Sequence, residues 1–249
     1  MHDALLANFR SYWLGFHRLS GGDGITSYHS GVPLGMYNGV LRVVEGTTID
    51  AAKRIFGETP WVWWAGPDSP PEIGDKLLAG GAQAGPTFSI MKLELGKRAP
   101  VAVPARLAIG HVKGDTALAS WVAGFAPNFG VPAGQVGALI ELWRARPDLR
   151  DRLVRFEATD NGTVVGTAAL HLTSPVAGVY NVTTAPAYRR RGVGSALVAA
   201  ALAHAREQGL EVATLQARAA GLGVYERLGF TTVGEYRQFT FGNADGRRT

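Results

Sequence analysis

Tyr180-Asn181-Val182-Thr183-Thr184-Ala185-Pro186-Ala187-Tyr188-Arg189-Arg190-Arg191-Gly192-Val193-Gly194-Ser195 is the stretch whose reading decides the fold. Its β-branched start ends a strand over Val176 to Thr184, Pro186 interrupts pairing, and the Arg/Gly loop opens a helix from about Ser195 to Gln208, closed by Gly209. Leu197, Val198, Ala201, Leu202 and Ala205 give that helix one apolar stripe. Gly192 and Gly194 let the backbone bend so that successive N–H groups face one concavity, and the helix start adds its unpaired donors and positive dipole end. Such a concavity suits a pyrophosphate, with Arg189, Arg190 and Arg191 as nearby cations. The residue types alone are equally compatible with an ordinary helix start, because a Gly-x-Gly after basic residues is a weak signal. The dinucleotide pattern Gly-x-Gly-x-x-Gly fails at Leu197 and no Gly-Lys-Ser/Thr follows, which argues against a nicotinamide enzyme or a kinase.

Outward from this loop, Glu211 to Ala217 reads as the next strand, Ala220 to Leu228 as a short helix and Thr231 to Phe241 as a final strand. Strand, loop, helix and strand in that order require a parallel pair joined by a crossover. Upstream, Asp160-Asn161-Gly162 marks a tight hairpin between two antiparallel strands. Before it, Leu107 to Val112 forms a strand. Asp115 is expected to N-cap a helix bearing Leu118, Trp121, Val122 and Phe125, and Val136, Leu139, Ile140 and Trp143 repeat the helical spacing. The expected fold class is α/β: a mixed, mostly antiparallel sheet with one parallel pair and helices on both faces.

The first 100 residues read as a smaller α/β half. Leu6, Phe9, Trp13 and Phe16 among Asp3, Arg10 and Arg18 suit an amphipathic helix. Paired strands over Gly24 to Val44, a helix from Ile49 to Phe56, a buried strand Trp61-Val62-Trp63-Trp64, a helix over Glu72 to Ala79 and a strand over Thr87 to Leu95 follow. Gly96 to Pro104, rich in Gly, Pro, Lys and Arg, is the expected linker, and residues 242–249 the expected disordered tail. The division is therefore 1–100, 105–241 and 242–249.

With 46% hydrophobic and 18% charged residues among 249, the chain is globular rather than disordered. No cysteine is present, which excludes disulfides and any thioester carried on the protein. The net charge of +5 favours a polyanionic ligand. The arginines are scattered rather than gathered in a stripe, which weighs against nucleic acid. No apolar run spans a membrane, and the expected location is cytoplasmic.

The strand Tyr180 to Thr184, Pro186, the Arg189-x-x-Gly192-x-Gly194 loop, the Ala/Leu helix and Val224-Tyr225-Glu226-Arg227-Leu228-Gly229-Phe230 together resemble the GNAT superfamily of acyl-CoA N-acyltransferases, over roughly residues 105 to 240. The resemblance implies acetyl-CoA as co-substrate, without a metal. The backbone of Arg190, Arg191, Gly192, Val193, Gly194 and Ser195 would hold the pyrophosphate, beside Arg189, and the splayed strand end Val182, Thr183 and Thr184 would pair with the pantetheine arm. Tyr225 would donate a proton to the departing thiolate. The chain departs from the family at Arg218, where many members carry Asn. Met36-Tyr37-Asn38-Gly39-Val40 echoes Val179 to Val182, and Ile73 to Leu78 echoes Val224 to Leu228, which resembles tandem members whose N-terminal half is a degenerate copy without cofactor.

The implied reaction is direct attack of a primary amine on the thioester in a ternary complex. Its base is Glu157 or His171, each also readable as a solvated strand residue. Trp121, Phe125, Phe129 and Trp143 either line an acceptor cleft or pack a core. The acceptor class stays open between a small-molecule amine, an antibiotic, a peptide N-terminus and a lysine, and the assembly between monomer and homodimer. A non-catalytic acyl-CoA sensor is the alternative from another class.

Overall fold

Alternating hydrophobicity and glycine-marked turns produce eleven strands and seven α-helices among the described residues of a computed structural model, which are 1–16, 18–21, 24–96, 103–104, 106–149 and 151–242. In chain order they are α1 (His2–Leu14), β1 (Arg18–Gly21), β2 (Ile25–His29), β3 (Asn38–Val43), α2 (Ile49–Phe56), β4 (Trp61–Ala65), α3 (Ile73–Ala79) and β5 (Gln83–Glu94). There follow β6 (Leu107–His111), α4 (Gly114–Phe125), α5 (Val136–Arg144), β7 (Leu153–Asp160), β8 (Thr163–Thr173), β9 (Val176–Thr184), α6 (Val193–Glu207), β10 (Val212–Ala217), α7 (Leu222–Arg227) and β11 (Thr231–Phe241). No helix among the described residues is long and apolar enough to cross a membrane. The expected linker falls largely on residues 97–102, and the expected tail on 243–249, both outside the described residues.

The chain forms two compact units, neither continuous in sequence. One comprises residues 1–12, 91–215 and 221–231; the other 13–90, 216–220 and 232–249. In the first, β6, β7, β8 and β9 pair antiparallel in sequence order, and β10 joins β9 in parallel. The hairpin between β7 and β8 turns on Asn161 at φ 48° and Gly162 at φ 78°, the positive pair that a tight Asn-Gly turn needs. Helix α6 covers one face: Gly166 has no room for a side chain, since a Cβ there would meet Leu197 and Val193 at 2.9 Å. On the same side, Phe156 reaches His204 with ring centroids 6.0 Å apart.

Asp115 does not cap α4. The helix begins one residue earlier, after Lys113, so Asp115 lies in the first turn and approaches Arg144, with Nε to Oδ1 at 3.4 Å. A carboxylate there still favours the helix through its dipole. Trp121, Phe125 and Trp143 are fully buried and meet edge to face, and the Trp121 indole donates to the Phe156 carbonyl at 2.8 Å. Of the four aromatics on or near α4 and α5, only Phe129 is exposed, at 40%.

Helix α1 supplies Asn8, fully buried and fully bonded. Its amide donates to the His171 carbonyl (3.0 Å), Thr173 Oγ1 (2.7 Å) and the Val176 carbonyl (3.2 Å), while its Oδ1 accepts from the Tyr180 hydroxyl (2.7 Å). The Tyr12 ring stacks on Tyr180 with centroids 3.7 Å apart. Gly178 makes this contact possible, because a Cβ there would lie 2.0 Å from Asn8 Oδ1.

In the second unit β1, β2 and β3 pair antiparallel, β3 and β4 are parallel, and β11 runs antiparallel to β4. The element order β2, β3, α2, β4, α3, β5 repeats the order β8, β9, α6, β10, α7, β11. The two sequence echoes fall on matching members of this series, around β3 and β9 and on α3 and α7. Trp61, Trp63 and Trp64 are core, none more than 3% exposed.

Candidate active site

Two sequence features put an open edge in the middle of the first unit. Strands β9 and β10 are hydrogen-bonded in parallel only from Val176/Val212 to Val179/Leu215. Strand β9 then continues to Thr184, paired on its other side with β8. At the parting point the β8–β9 register shifts between Thr167 and Ala169, and Asn181 adopts φ 53°. Two residues of β9 face one of β8, which is a bulge that bends the strand and adds twist.

The Arg/Gly loop returns beside this edge. Gly192 sits at φ 81° as the N-cap of α6, a left-handed conformation that glycine takes without strain. The first turn of α6 has neither a side-chain cap nor an acidic residue, so its leading N–H groups are left for another acceptor. A Cβ at Gly194 would find Thr184 Oγ1 at 3.6 Å and Val182 Cγ1 at 4.0 Å, which is ordinary contact. Packing does not require glycine at 194, and the bare backbone there suits a bulky anion. Val182, Thr184, Gly192 and Gly194 are thus brought together. Val193 turns its side chain into the core, and the Ser195 hydroxyl has no partner among the described residues.

The three arginines divide. Arg189 is a tether: Nε donates to the Thr184 carbonyl at 3.2 Å and Nη2 to Asn128 Oδ1 at 2.9 Å, joining the loop to the end of α4. The Arg191 guanidinium lies 5.7 Å from the Tyr188 ring centroid, and the Tyr188 hydroxyl donates to Asp160 Oδ2 at 2.9 Å. Arg190 is exposed at φ 62°. Sequence reasoning missed Asn128, because nothing local marks an Asn at a helix end as the partner of a loop 61 residues away.

Of the two candidate bases, Glu157 is level with the edge along the strands, two strands away from it on β7. Register pairs Glu157 with Thr167 and Thr167 with Thr183, so the three share one face of the sheet. Thr167 Oγ1 bonds Thr183 Oγ1 at 2.8 Å and donates to the Asn181 carbonyl at 3.0 Å. Glu157 is half-buried, and burial pushes its carboxyl above the ordinary value. His171 pairs with Gly178, lower on the same face, and is fully buried rather than solvated. Its Nε2 is 3.0 Å from Ser11 Oγ, and its Nδ1 3.3 Å from Asp148 Oδ2. Burial lowers the imidazole to about 4, so it is neutral at physiological pH. Burial alone would raise Asp148. The paired bonds from Arg146, at 2.9 and 2.7 Å, and its charge bring it below the ordinary value.

Tyr225 lies on α7, its ring 6.2 Å from Phe230 at 74° and close against Gly221. Its hydroxyl has no hydrogen-bond partner among the described residues, and burial pushes the phenol up to about 12. Such a phenol holds its proton across the physiological range.

Residues 118–230 match the model of the acetyltransferase (GNAT) family. The chain carries a GNAT domain. It is 29% identical over 100 residues to the [ribosomal protein bS18]-alanine N-acetyltransferase of Escherichia coli K12, a match covering 39% of this chain and 67% of the relative. The fold resembles a GCN5-related N-acetyltransferase from Kribbella flavida, with TM-score 0.67 and 16% identity over 94% of both chains. It also resembles a tandem GNAT protein from the clavulanic acid biosynthesis pathway, with TM-score 0.62 and 15% identity over 90% of this chain and 79% of that one. In this GNAT domain the matched residues include the parting strands, the Arg/Gly loop, α6 and α7.

Proposed function

We propose that this protein is an N-acetyltransferase that moves the acetyl group of acetyl-CoA to a primary amine by direct attack in a ternary complex, with residues 105–241 as the catalytic part. The observation that carries the reading is the parting of β9 from β10 after Val179/Leu215, directly beside an uncapped α6 N-terminus. The residues fit the cofactor. Strand edge 182–184 would supply backbone groups for the amides of the pantetheine arm, as an added strand would, with the Thr184 carbonyl shared with Arg189. The backbone from Arg190 to Ser195 supplies N–H donors for the pyrophosphate, which Gly194 leaves unobstructed. Arg190 and Arg191 add charge, while Arg189 holds the loop.

The thioester contributes an activated acyl carbon and a thiolate leaving group. Tyr225 keeps its proton until the sulfur departs and then donates it. Glu157 accepts the proton of the attacking amine, directly or through one water; its raised carboxyl is a better base than an ordinary one. His171 is disfavoured in that role, because its ring is enclosed by Ser11 and Asp148. The Escherichia coli relative acts on an alanine of a ribosomal protein, which makes a peptide α-amino group the first acceptor to test.

The test is calorimetric binding of acetyl-CoA to the wild type and to Gly194→Asp, followed by turnover of Tyr225→Phe. The carboxylate of Gly194→Asp should weaken binding at least about tenfold through repulsion of the pyrophosphate. Tyr225→Phe should retain binding and lose turnover. An unchanged turnover would assign the proton elsewhere, and a wild type that binds without any turnover would make the protein an acyl-CoA sensor.

A further inference from the structure

The first copy of the element series contains a pocket that acetyl transfer does not use. Strand β4 ends at Ala65, opposite Arg237, while β11 extends past it, since residues 231–236 have no partner on β4. The chain leaves the sheet at Gly66-Pro67 in a turn closed by two bonds, Gly66 N–H to Ser69 Oγ at 2.9 Å and Ser69 N–H to the Gly66 carbonyl at 3.0 Å. It returns through Pro70-Pro71 to α3. Between this turn, the start of α3 and β11 lies a pocket of about 320 Å³. That is near the lower end of small-molecule sites, roughly 300–1,000 Å³, and suits a ligand of amino-acid size. Its prolines, with φ fixed by their rings, make stiff walls.

The charged side chains lining it are Glu235 and Arg237, which alternate onto one face of β11 with Phe239. Neither has a hydrogen bond or an ion pair among the described residues. The neighbouring acids are engaged elsewhere: Asp68 approaches Arg42 at 3.9 Å and Glu72 holds Lys76 at 2.8 Å. Arg237 is nonetheless seated. Its guanidinium lies 5.5 Å from the Phe239 ring centroid, and a Cβ at Gly74 would find Nη1 at 3.5 Å. These contacts position the planar group and leave its five N–H donors unspent. The repeat explains the seat. Ile73-Gly74-Asp75-Lys76-Leu77 aligns with Val224-Tyr225-Glu226-Arg227-Leu228, so Gly74 stands where the second copy carries Tyr225. A ring at 74 would run into Arg237 and Phe239, whose Cζ a bare Cβ already meets at 3.2 Å.

We infer that this pocket binds a free amino acid with an apolar side chain, its carboxylate on Arg237, its ammonium on Glu235 and its side chain against Phe239, Ile73 and the prolines. The Cα atoms of Glu235 and Arg237 are about 7 Å apart along the strand, so both side chains can reach one small zwitterion. A plain anion would meet the Glu235 charge and a plain amine the Arg237 charge, whereas a zwitterion satisfies both with charge-assisted bonds. The site stands apart from the acetyl-transfer reading, because every lining residue belongs to the unit without the Arg/Gly loop.

The probes are L-leucine, 4-methylpentanoate, which lacks its ammonium, and 3-methylbutylamine, which lacks its carboxylate. Each is titrated into the full chain by NMR saturation transfer, up to about 10 mM. Leucine should bind saturably, and each truncated probe at least about fivefold more weakly. Arg237→Gln should weaken leucine at least about tenfold, and Glu235→Gln should bring leucine and 4-methylpentanoate within about twofold of each other. Both positions are exposed, so both variants should melt cooperatively, and the three probes on the wild type test the inference without them. Leucine should bind Gly194→Asp as it binds the wild type; loss of binding there would place it at the acyl-CoA loop and overturn the inference. Absence of saturable leucine binding overturns it, as does an affinity unchanged in Arg237→Gln. Equal affinities of the wild type for leucine and 4-methylpentanoate also overturn it, by making the pocket a simple anion site.

Discussion

Glu157 and Tyr225 are both half-buried groups with raised pKa values, and the same physics gives them opposite consequences. Burial penalises the charged form of each. The phenol is thereby kept as a donor, and the carboxylate becomes a stronger base that is protonated more readily in acid. Activity at a fixed concentration of unprotonated acceptor should therefore fall on the acid side with an apparent pKa above the ordinary carboxylate range, and Glu157→Gln should abolish that limb and lower kcat by about 10²-fold or more. No alkaline limb from Tyr225 should appear below about pH 12. A pH–rate profile of the two proteins checks this, and an acid limb that survives in Glu157→Gln would assign the base elsewhere. Both types of residue were legible as candidates in the sequence. What separated Glu157 from His171 was strand register, which places one beside Thr167, at the level of Thr183, and the other beside Gly178.

Helix α1 acts as a single element that closes one face of β8 and β9. Asn8, Ser11 and Tyr12 meet His171, Tyr180 and Arg146, and Arg146 in turn donates to the Tyr12 carbonyl at 2.8 Å and clamps Asp148. The buried imidazole in this cluster sets a pH dependence of stability. Its folded value of about 4 lies below the ordinary 6.5, so the unfolded chain binds more protons between the two. Stability is accordingly lost as the pH falls through that window, by about 3 kcal/mol if only this group is counted. The difference in unfolding free energy between pH 7 and pH 4 should shrink by about that amount in His171→Gln, measured by denaturant titration at both pH values. An equal pH dependence in the two proteins would show that the imidazole ionises freely where it lies. The amphipathic pattern predicted this helix, yet no periodicity foretells that its buried polar residue finds partners more than 160 positions away.

Across the whole molecule, one element series occurs twice, and the two copies differ at the helix start that the proposed function assigns to a phosphate. Where α6 starts bare, α2 starts at Thr48, whose Oγ1 already accepts from the Ala51 N–H at 3.2 Å, with Asp50 adding a negative charge in the first turn. Strands β3 and β4 also part, after Val40/Trp63, and the start of β3 is packed: a Cβ at Gly39 would meet the Val62 carbonyl at 2.7 Å and the Tyr28 hydroxyl at 2.9 Å, and that hydroxyl accepts from the Trp64 indole. Calorimetry should therefore give one acetyl-CoA per chain, and a stoichiometry of two would show that the first copy also binds. Sequence by itself determined the elements, the parallel crossover, the Arg/Gly loop ahead of its helix and the faint repeat, because these rest on local spacing, turn chemistry and glycine positions. Tertiary structure alone decided that the last strand of the chain belongs with residues 13–90, that Arg189 serves as a tether, and that Asn181 stands at a bulge with its amide unmet. Those outcomes depend on which distant backbone edges and side chains meet, and distance along the chain does not encode them.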